Sequence, residues 1–265
     1  MIYTFLADIS RFDVEGALGA QSLDGENKKT LPGLEEQKRD RVSSDAFLRS
    51  YPAPNLSPAI KEHIEKAKAP GLRAQRGAAY MLLFSVLSEI LPTEPEIRWT
   101  DGGKPYLSGD EKICFSLSHT EGVVAVSISC GGSPVGVDVE GEVSPERAER
   151  LEGRFFSETQ FDLSRQKTEY FFCEMVEGGG FEIYPFSEEK DCFVATGRAG
   201  RRAELWDAFS EREFSAKWTL FEASLKCGAE FIFRPCIGET ILKMNADLKK
   251  LRFGDRLLYI ATATK

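Results

Sequence analysis

The sequence predicts an α+β protein built from two subdomains, and three observations support that fold class. Residues 113–140 contain three short segments of alternating apolar and polar side chains with glycine turns between them, a pattern typical of antiparallel strands. Residues 72–92 are apolar at nearly every inward position and end at Pro92, which indicates a buried helix. The C-terminal half again combines a marked helix with strand patterns, so each half places helices beside a small, mainly antiparallel sheet.

The N-terminal half opens with a strand pattern at residues 1–12 and continues into a polar, glycine-containing stretch at residues 15–30, where we expect a loop. Two shorter helix patterns, at residues 34–51 and 59–69, precede the buried helix. After that helix, residues 96–108 indicate a strand that enters a tight glycine turn.

A Gly-Gly-Ser-Pro turn at residues 131–134 is the predicted hinge, and it divides the chain into residues 1–133 and 134–265. Beyond it, Ser144 and Pro145 indicate the N-cap and the first position of a helix. Residues 162–200 have a weaker pattern, which leaves open a strand pair or a mobile insertion.

The last predicted helix, over residues 210–228, has clear signals at both ends. Ser210 and Glu213 have the spacing of a capping box, and Gly228 stands where a C-cap glycine belongs. An apolar stripe recurs along this helix and predicts its inward face: Phe214, Trp218, Phe221 and Leu225. Strand patterns at residues 239–245 and 256–265 close the chain.

Charge and cysteine content narrow the classes of partner. The net charge of −8 over 265 residues, with no compensating basic block, argues against nucleic-acid binding, so an anionic ligand would need a local basic pocket. The N-terminus lacks signal-peptide features, and the longest apolar stretch falls short of the ~20 residues that span a bilayer. Six cysteines without CxxC or zinc-ligand spacing predict reduced thiols. We therefore expect a cytoplasmic protein that binds neither nucleic acid nor membrane.

Asp138 and Glu140 flank a single valine in a predicted strand, so their side chains share one face while Val137 and Val139 take the other. Two like charges held close together repel each other, and a bound cation would remove that repulsion. Hard oxygen ligands favour Mg²⁺ or Ca²⁺, and Mg²⁺ commonly combines one or two carboxylates with phosphate oxygens. The alternative is a solvated polar face on an edge strand.

Glu222 and Lys226 lie four residues apart on the last predicted helix and therefore share a face. They could form an exposed ion pair worth roughly 0.3–0.5 kcal/mol. Joined to Asp138 and Glu140, they would instead supply a third carboxylate and a cation suited to phosphate chemistry.

Several basic side chains could serve such a site. Arg73 and Arg76 lie at the start of the buried helix, where positive charge opposes the helix dipole unless an anion binds there; both could instead pair with surface carboxylates. His119, next to Ser118 in a predicted turn, and Lys104, in the Gly-Gly-Lys-Pro turn, could contact phosphate or be ordinary turn residues.

Taken in order, five segments resemble the 4'-phosphopantetheinyl transferases, specifically the surfactin-synthetase-activating type with two fused subdomains. These segments are GKP at 103–105, FSLSHT at 115–120, VGVDVE at 135–140, RFFS at 154–157 and WTLFEASLK at 218–226. Their order and spacing match the family over residues 73–226. The resemblance implies two similar α+β subdomains in a pseudo-two-fold arrangement, with coenzyme A bound in the cleft between them.

The resemblance also implies a role for each candidate residue. Asp138, Glu140 and Glu222 would hold Mg²⁺ against the diphosphate of coenzyme A. Lys226 would contact the phosphates and help 3',5'-ADP to leave. Glu222 would act as the base for the carrier serine, directly or through a water.

A further set would bind the nucleotide part of coenzyme A: Arg73, Lys104, Pro105, Ser118, His119 and Lys38. In this set Arg73 would meet the 3'-phosphate. Lys38, from the early helix, has Lys61 and Lys66 as alternatives.

Two positions depart from the family pattern. Phe221 stands where the family usually has lysine, and Gln160 stands where a glutamate often follows the RFFS segment. Because neither change removes a predicted metal ligand, we expect an active, Mg²⁺-dependent monomeric enzyme that modifies an apo acyl or peptidyl carrier protein. The alternatives are a catalytically silent homologue that binds coenzyme A or a carrier protein, and a metal-dependent phosphohydrolase with the same carboxylates.

Overall fold

The fold is that of a computed structural model, which describes residues 1–10, 50–51, 54–120, 122–156, 159–176, 179–207, 213–228, 230–234 and 239–265. Lys38 and most of the helix predicted over residues 34–51 lie outside the described residues. Ser210, half of the predicted capping box, lies outside them as well.

In the described residues the chain forms sixteen strands and four α-helices. The first strands are β1 (Ile2–Asp8), β2 (Ser50–Tyr51), β3 (Ile97–Trp99), β4 (Pro105–Leu107), β5 (Ile113–Thr120), β6 (Val123–Cys130) and β7 (Val135–Gly141). The later strands are β8 (Thr159–Arg165), β9 (Thr168–Met175), β10 (Phe181–Pro185), β11 (Ser187–Glu189), β12 (Cys192–Thr196), β13 (Arg202–Asp207), β14 (Glu230–Arg234), β15 (Glu239–Phe253) and β16 (Arg256–Thr264). The helices are α1 (Pro58–Glu65), α2 (Pro70–Ile90), α3 (Pro145–Phe155) and α4 (Phe214–Cys227).

Most strands belong to two large sheets. A six-stranded sheet has the order β2-β10-β9-β1-β6-β5. An eight-stranded sheet has the order β11-β12-β13-β15-β16-β7, with β14 and β8 also paired to β15. Among the described strands, only the β1–β9 and β15–β8 pairs are parallel. The structure therefore confirms an α+β fold with mainly antiparallel sheets.

The two sheets pack face to face between layers of helix. Phe5 of β1 joins the core beneath α1 and α2, whereas its neighbour Leu6 joins the core between the sheets, together with Val137. On the outer face of the eight-stranded sheet, Ala223 of α4 packs against Ala261 of β16. The layers are therefore helices, six-stranded sheet, eight-stranded sheet and helix.

The buried helix predicted from the sequence is α2. It starts at Pro70, whose fixed φ angle suits a first helical turn, and ends at Ile90, two residues before Pro92. Residues 77–87 are all buried, which explains why apolar side chains surround this part of the helix. The helix α3 also begins as predicted, because Ser144 Oγ accepts the main-chain N–H of Arg147 at 3.4 Å.

The helix α4 packs through small side chains rather than through the predicted aromatic stripe. Its buried residues are Ser215, Ala216, Thr219, Leu220, Ala223, Ser224 and Cys227. Leu225 is 45 % exposed, so the predicted inward stripe was wrong. Phe214, Trp218 and Phe221 gather instead around Phe156, with centroid distances of 5.7, 6.2 and 5.4 Å.

The C-cap of α4 agrees with the prediction from the sequence, but its N-cap does not. Gly228 is in the left-handed region, at φ 71° and ψ 42°, and confirms the predicted C-cap. At the other end, Glu213 is itself the N-cap residue rather than the third residue of the helix. Its carboxylate accepts hydrogen bonds from Lys250 at 2.8 Å and from the hydroxyl of Tyr259.

Residues 162–200, which the sequence left open, contribute strands to both sheets. The segments at β10 and β12 do not pair with each other: β10 pairs with β9 and β2, whereas β12 pairs with β11 and β13. Strands β9 and β10 therefore follow residue 133 in the chain but lie in the sheet that contains β1. The division at residues 133 and 134 stays a prediction.

Two further properties concern the whole described part of the chain. None of its helices is long and apolar enough to cross a membrane. Its cysteines are free thiols, as predicted: Cys114, Cys130, Cys173, Cys192 and Cys227.

Candidate functional site

Asp138 lies on β7, an edge strand of the eight-stranded sheet, and its side chain is buried. Val137 and Val139 are 0 % and 1 % exposed and face the core between the sheets, so Asp138 and Glu140 point the other way, as the alternation predicted. Asp138 is only 4 % exposed because α4 covers this face of the strand. A solvated polar face is therefore excluded at Asp138.

Gly136 allows α4 to come this close to β7. A Cβ atom at this position would lie 1.9 Å from the carbonyl oxygen of Ala223 and 2.6 Å from the main-chain nitrogen of Cys227. Only glycine leaves the space that the helix backbone needs. The close approach places Lys226, the neighbour of Cys227, beside Asp138.

Two serine hydroxyls join β5 to β7, which are edge strands of different sheets. Ser116 and Ser118 are two residues apart on β5 and therefore share one face. Ser116 Oγ accepts the main-chain N–H of Val137 at 3.0 Å, and Ser118 Oγ accepts that of Val139 at 3.3 Å. These bonds fix the two strands against each other where the sheets meet.

Asp138 has two carboxylate oxygens in unequal surroundings. Oδ1 accepts hydrogen bonds from Ser118 Oγ at 2.8 Å and from Lys226 Nζ at 2.7 Å. Lys226 Nζ also donates to the carbonyl of Val137 at 3.0 Å. Oδ2 is buried and has no hydrogen-bond partner among the described residues. Because a buried carboxylate oxygen without a partner costs free energy, Oδ2 favours a cation or donor that enters the site.

Glu140 and Glu222 form a like-charge group with Asp138. Burial and the charge of Asp138 raise the pKa of Glu140, while Arg147 opposes the shift. Burial and Asp138 also raise the pKa of Glu222, and there Lys226 opposes the shift. The three carboxylates therefore interact electrostatically, and a cation among them would relieve the repulsion.

The carboxylates fit a divalent metal in type but do not form a closed site. In the part of the chain that the structure describes, no three His, Cys, Asp or Glu side chains are grouped closely enough to hold a metal ion. Carboxylate oxygens are the ligands that Mg²⁺ prefers, and the partnerless Oδ2 of Asp138 is a suitable donor. Because Lys226 occupies Oδ1, metal binding would require Lys226 and the two glutamates to move.

His119 follows Ser118 at the end of β5 and is half-buried. Burial, and then the positive charges of Lys226 and Arg76, lower the pKa of its imidazole. His119 is thus within electrostatic range of cations from α4 and α2. Such a position, with cations on two sides, suits an anionic ligand.

The two arginines at the start of α2 have different surroundings. Arg73 donates from Nη1 to the carbonyls of Ala67 and Lys68, at 3.3 and 3.4 Å, in the turn before the helix. The charge of Arg76 adds to burial in lowering the pKa of both His63 and His119. Arg76 therefore interacts electrostatically with His119 of the site. The resemblance had instead predicted Arg73 as the arginine that contacts the ligand.

A cavity of about 350 Å³ opens between the β3–β4 turn, β5 and the end of α4. Lys104, Pro105 and Lys226 line it together with the apolar side chains of Phe115 and Leu225. Lys104 Nζ donates to the main-chain carbonyl of Lys226, and burial lowers the pKa of the Lys104 amine. The cavity therefore combines apolar walls with two lysines.

A second cavity, of about 570 Å³, lies at the other end of the β5–β7 contact. Its charged lining comprises Glu140, Glu142, Arg147 and Arg256. Arg256 also forms an ion pair with Asp8 at 2.7 Å. Glu140 thus stands between this cavity and Asp138.

Most of the predicted site residues meet where β5, β7 and α4 come together: Lys104, Pro105, Ser118, His119, Asp138, Glu140, Glu222 and Lys226. Lys38 lies outside the described residues, and of its two alternatives Lys66 forms an ion pair with Glu62 at 3.1 Å. Sequence reasoning missed Gly136, Ser116 and Arg147. A glycine inside a strand and two serines with a spacing of two were signals for the first two.

No protein-family model matches the chain, and no curated protein sequence matches it. The similarity to the phosphopantetheinyl transferases therefore rests on the five short segments and stays a prediction. In the structure, four of the five segments contribute residues to the contact of β5, β7 and α4 or to the adjoining cavity.

Proposed function

We propose that the protein transfers 4'-phosphopantetheine from coenzyme A to a serine of an apo acyl or peptidyl carrier protein and releases 3',5'-ADP. The observation that carries this proposal is the buried carboxylate of Asp138. One of its oxygens is held by Lys226 and the other has no partner in the described part of the chain. Glu140 and Glu222 lie within electrostatic range, and a lysine-lined cavity adjoins the group.

The chain's own residues can perform the parts of a phosphoryl transfer. Lys226 would bind the phosphates and stabilise the charge of departing 3',5'-ADP. Glu222 would accept the proton of the carrier serine, and its raised pKa makes it a better base than an ordinary glutamate. Mg²⁺ held by Asp138, Glu140 and Glu222 would neutralise charge on the diphosphate oxygens.

The lysine-lined cavity is the proposed place for the nucleotide. Leu225, which is 45 % exposed, would offer apolar contact to a ring, and Lys104 and Lys226 would bind the phosphates. His119, with its lowered pKa, would be neutral near pH 7 and could donate one hydrogen bond to a phosphate oxygen.

We further propose that the two sheets, each with a helix on its outer face, are the similar subdomains of a pseudo-two-fold monomer whose ligand cleft includes the β5–β7 contact. The sequence of layers, helix–sheet–sheet–helix, supports this arrangement. The free thiols of the described cysteines support a cytoplasmic location.

Intact mass spectrometry tests the function directly. An apo acyl carrier protein is incubated with the protein, coenzyme A and Mg²⁺, and its mass should increase by one phosphopantetheine. EDTA and the substitution Asp138→Ala should each abolish the increase. No increase with fatty-acid, polyketide and nonribosomal-peptide carriers would contradict the proposal, whereas 3',5'-ADP released without a carrier would indicate a phosphohydrolase.

A second candidate is a protein that binds coenzyme A or a carrier protein without turnover. The absence of a closed three-ligand group in the described residues favours it, because a silent homologue has no need of the metal. Calorimetry separates the two candidates. Both bind coenzyme A, but only the transferase should bind it more tightly when Mg²⁺ is present.

A further inference from the structure

We infer that the cavity of about 570 Å³, at the other end of the β5–β7 contact, binds a free α-amino acid with an aliphatic side chain. The inference does not depend on the proposed function, since this cavity is separate from the lysine-lined one. Two observations carry it. Charged side chains of both signs line the cavity without pairing with one another, and aliphatic side chains complete the lining.

The cavity is formed where the ends of several elements meet. Its lining comes from the chain just after β1, the β5–β6 turn, the end of β7, the first turn of α3 and the start of β16. The main-chain N–H of Ile9 donates to the carbonyl of Gly122 at 2.9 Å. The main-chain N–H of Val143 donates to Oγ of Ser215, a buried residue of α4, also at 2.9 Å. The cavity is therefore held in shape by hydrogen bonds on two sides.

Arg256 is fixed at one side of the cavity. Its Nη2 lies 2.7 Å from Oδ1 of Asp8, which also accepts the hydroxyl of Ser10 at 2.7 Å. Gly122 provides the room, because a Cβ atom at this position would lie 2.7 Å from Nη1 of Arg256. Since Asp8 balances its charge, Arg256 shapes the cavity and is not the cation that we assign to the ligand.

Three other charged side chains line the cavity: Glu140, Glu142 and Arg147. None of the three forms an ion pair with another residue in the part of the chain that the structure describes. Arg147 therefore does not neutralise either glutamate by contact. Charges of opposite sign line one cavity without meeting, which leaves both signs available to a ligand.

A ligand with a single charge does not suit this lining. An anion would be attracted by Arg147 but repelled by the two glutamates, and a cation would meet the reverse. An α-amino acid has both charges on one carbon atom. Its carboxylate can accept two hydrogen bonds from a guanidinium group, and its ammonium group can donate to carboxylates.

The aliphatic part of the lining predicts the side chain of the ligand. It comprises Val143 and Leu257, which are half-buried, and Leu258, which is buried. An aliphatic ligand side chain would bury apolar surface against these residues. The volume of the cavity lies within the usual range for small-molecule sites, and leucine is therefore the probe of choice.

Saturation-transfer difference NMR with L-leucine, at concentrations up to about 10 mM, tests the inference. Leucinamide lacks the carboxylate and N-acetylleucine lacks the ammonium group. Each should bind about tenfold more weakly than leucine, because each loses one charge-assisted contact. Glycine keeps both charges but has no side chain to bury, so it should also bind about tenfold more weakly.

Variants of the cavity assign the two charged contacts. Arg147→Met should weaken leucine binding about tenfold but should not weaken the binding of leucinamide, which has no carboxylate for Arg147. Glu142→Gln should weaken leucine binding about threefold, since Glu140 remains, and should not weaken the binding of N-acetylleucine.

Two matched variants control for a change of charge on α3. Glu149 and Arg150 are exposed like Glu142 and Arg147 but do not line the cavity, so Glu149→Gln and Arg150→Met should bind leucine as the wild type does.

Three results would overturn the inference. Leucine might as a ligand show no binding up to the stated concentration, or it could bind no more tightly than glycine and the two blocked forms. In the third, Arg147→Met binds leucine as well as the wild type does, so the ligand occupies another place. The carrier-protein assay does not alter these outcomes, because neither Arg147 nor Glu142 belongs to the proposed transfer site.

Discussion

A comparison of two carboxylate groups in the described residues, each containing a buried side chain, shows that their surroundings differ. The site cluster comprises Asp138, Glu140 and Glu222, at the contact of β7 and α4. The paired cluster comprises Glu174 and Glu182, which face each other across β9 and β10. Both clusters bring like charges together in a protein of net charge −8, but only in the paired cluster does an arginine form an ion pair with each carboxylate.

In the paired cluster each glutamate has an arginine of its own. Arg201 Nε lies 2.8 Å from Glu174 Oε1, and Arg198 Nη2 lies 2.5 Å from Glu182 Oε1. The main-chain N–H of Arg198 donates to Glu174 Oε2 at 2.7 Å, and the hydroxyl of Tyr184 donates to Glu182 Oε2 at 2.6 Å. The cluster joins the turn between β12 and β13 to the six-stranded sheet.

In the site cluster, the ion pair is between Lys226 and Asp138, and the charge of Lys226 also opposes the raised pKa values of Glu140 and Glu222. Asp138 Oδ2 has no partner in the described residues, the charge of Asp138 raises the pKa of both Glu140 and Glu222, and the charge of Glu222 adds to the shift of Glu140. Matched charges fix a structure, whereas unmatched charges retain the capacity to bind a cation. We infer that the paired cluster is a structural connection, whereas the site cluster is the proposed binding site.

The largest expected effect comes from breaking the paired cluster. Arg201→Met should lower the free energy of unfolding by about 3–5 kcal/mol, because Glu174, whose side chain is 2 % exposed, would keep a buried charge without its cation. Urea unfolding monitored by circular dichroism measures the loss.

Arg202→Met is the matched control for that change. Arg202 is exposed and pairs with Glu189 and Glu204 at the surface, so its loss should lower stability far less than the loss of Arg201. Equal effects of the two substitutions would mean that Arg201 contributes no more than a surface ion pair. Mg²⁺ binding should be unchanged in both variants, since neither arginine belongs to the site cluster.

The second largest expected effect is the loss of stability when a substitution pushes α4 away from β7. Gly136→Ala would place a Cβ atom 1.9 Å from the carbonyl oxygen of Ala223, so the helix must shift and the free energy of unfolding should fall by about 1–3 kcal/mol or more. Because the shift moves Lys226 away from Asp138, the proposed transfer to a carrier protein should slow as well, as measured by intact mass spectrometry.

Gly141→Ala, on the same strand, controls for the loss of glycine itself. A Cβ atom at Gly141 would lie 3.9 Å from the side chain of Leu258, an ordinary contact, so stability should change by about 0.5 kcal/mol or less. If Gly136→Ala were as mild as Gly141→Ala in thermal and urea unfolding, close helix–strand approach would not be what builds the site.

Local pattern sufficed to predict the strands and helices that present the site. The alternation in β7 placed Asp138 and Glu140 on one face, and the Ser-Pro start of α3 and the Gly228 end of α4 follow from caps that involve a few neighbouring residues. These features depend on the conformation of adjacent residues, which is why the sequence alone reveals them.

What the sequence did not reveal depends on contacts between distant segments. Asp138 is buried because α4 crosses β7 at Gly136, and the inward face of α4 is its small-residue face because the sheet lies so close. The parallel pairing of β9 beside β1 has no local signature either. Hydrophobic periodicity identifies that a helix has a buried face, but the identity of that face depends on its partner.

The third prediction concerns the pH dependence of metal binding. The pKa values of Glu140 and Glu222 are raised above the ordinary 4.5, so burial stabilises their protonated forms. The stabilisation of the folded state by these protonated carboxyl groups is present below the ordinary pKa and is lost as the pH rises through the raised pKa. Since Mg²⁺ needs ionised carboxylates, its affinity should fall as the pH drops through the raised pKa values, by about tenfold per pH unit for each carboxylate.

Calorimetric titration of Mg²⁺ at a series of pH values from about 5 to about 8, with coenzyme A present, checks this dependence. Glu140→Gln should flatten the curve, and Glu174→Gln, in the paired cluster, should leave its shape unchanged. A curve that stays the same in Glu140→Gln would exclude Glu140 from the metal ligands.

The smallest expected effect is the uptake of a fraction of a proton by His119 when coenzyme A binds. Burial, Lys226 and Arg76 lower the pKa of His119 from 6.5, so the free protein contains the neutral imidazole near pH 7; charging it on acidification opposes folding. Phosphates bound beside it would raise that pKa, so the imidazole should take up less than about one proton when coenzyme A binds at about pH 6.5. The dependence of the binding enthalpy on the ionisation enthalpy of the buffer measures this uptake.

The chain's two histidines provide a matched pair for this measurement. His63 also has a lowered pKa, but it stacks on Trp99 at a centroid distance of 4.9 Å and meets the edge of Tyr80 at 5.8 Å. Proton uptake should vanish in His119→Gln and persist in His63→Gln. If proton uptake persisted in His119→Gln, a group other than His119 would be responsible for it. The lysines of the cavity, rather than His119 on β5, would then be the proposed contacts of the phosphates.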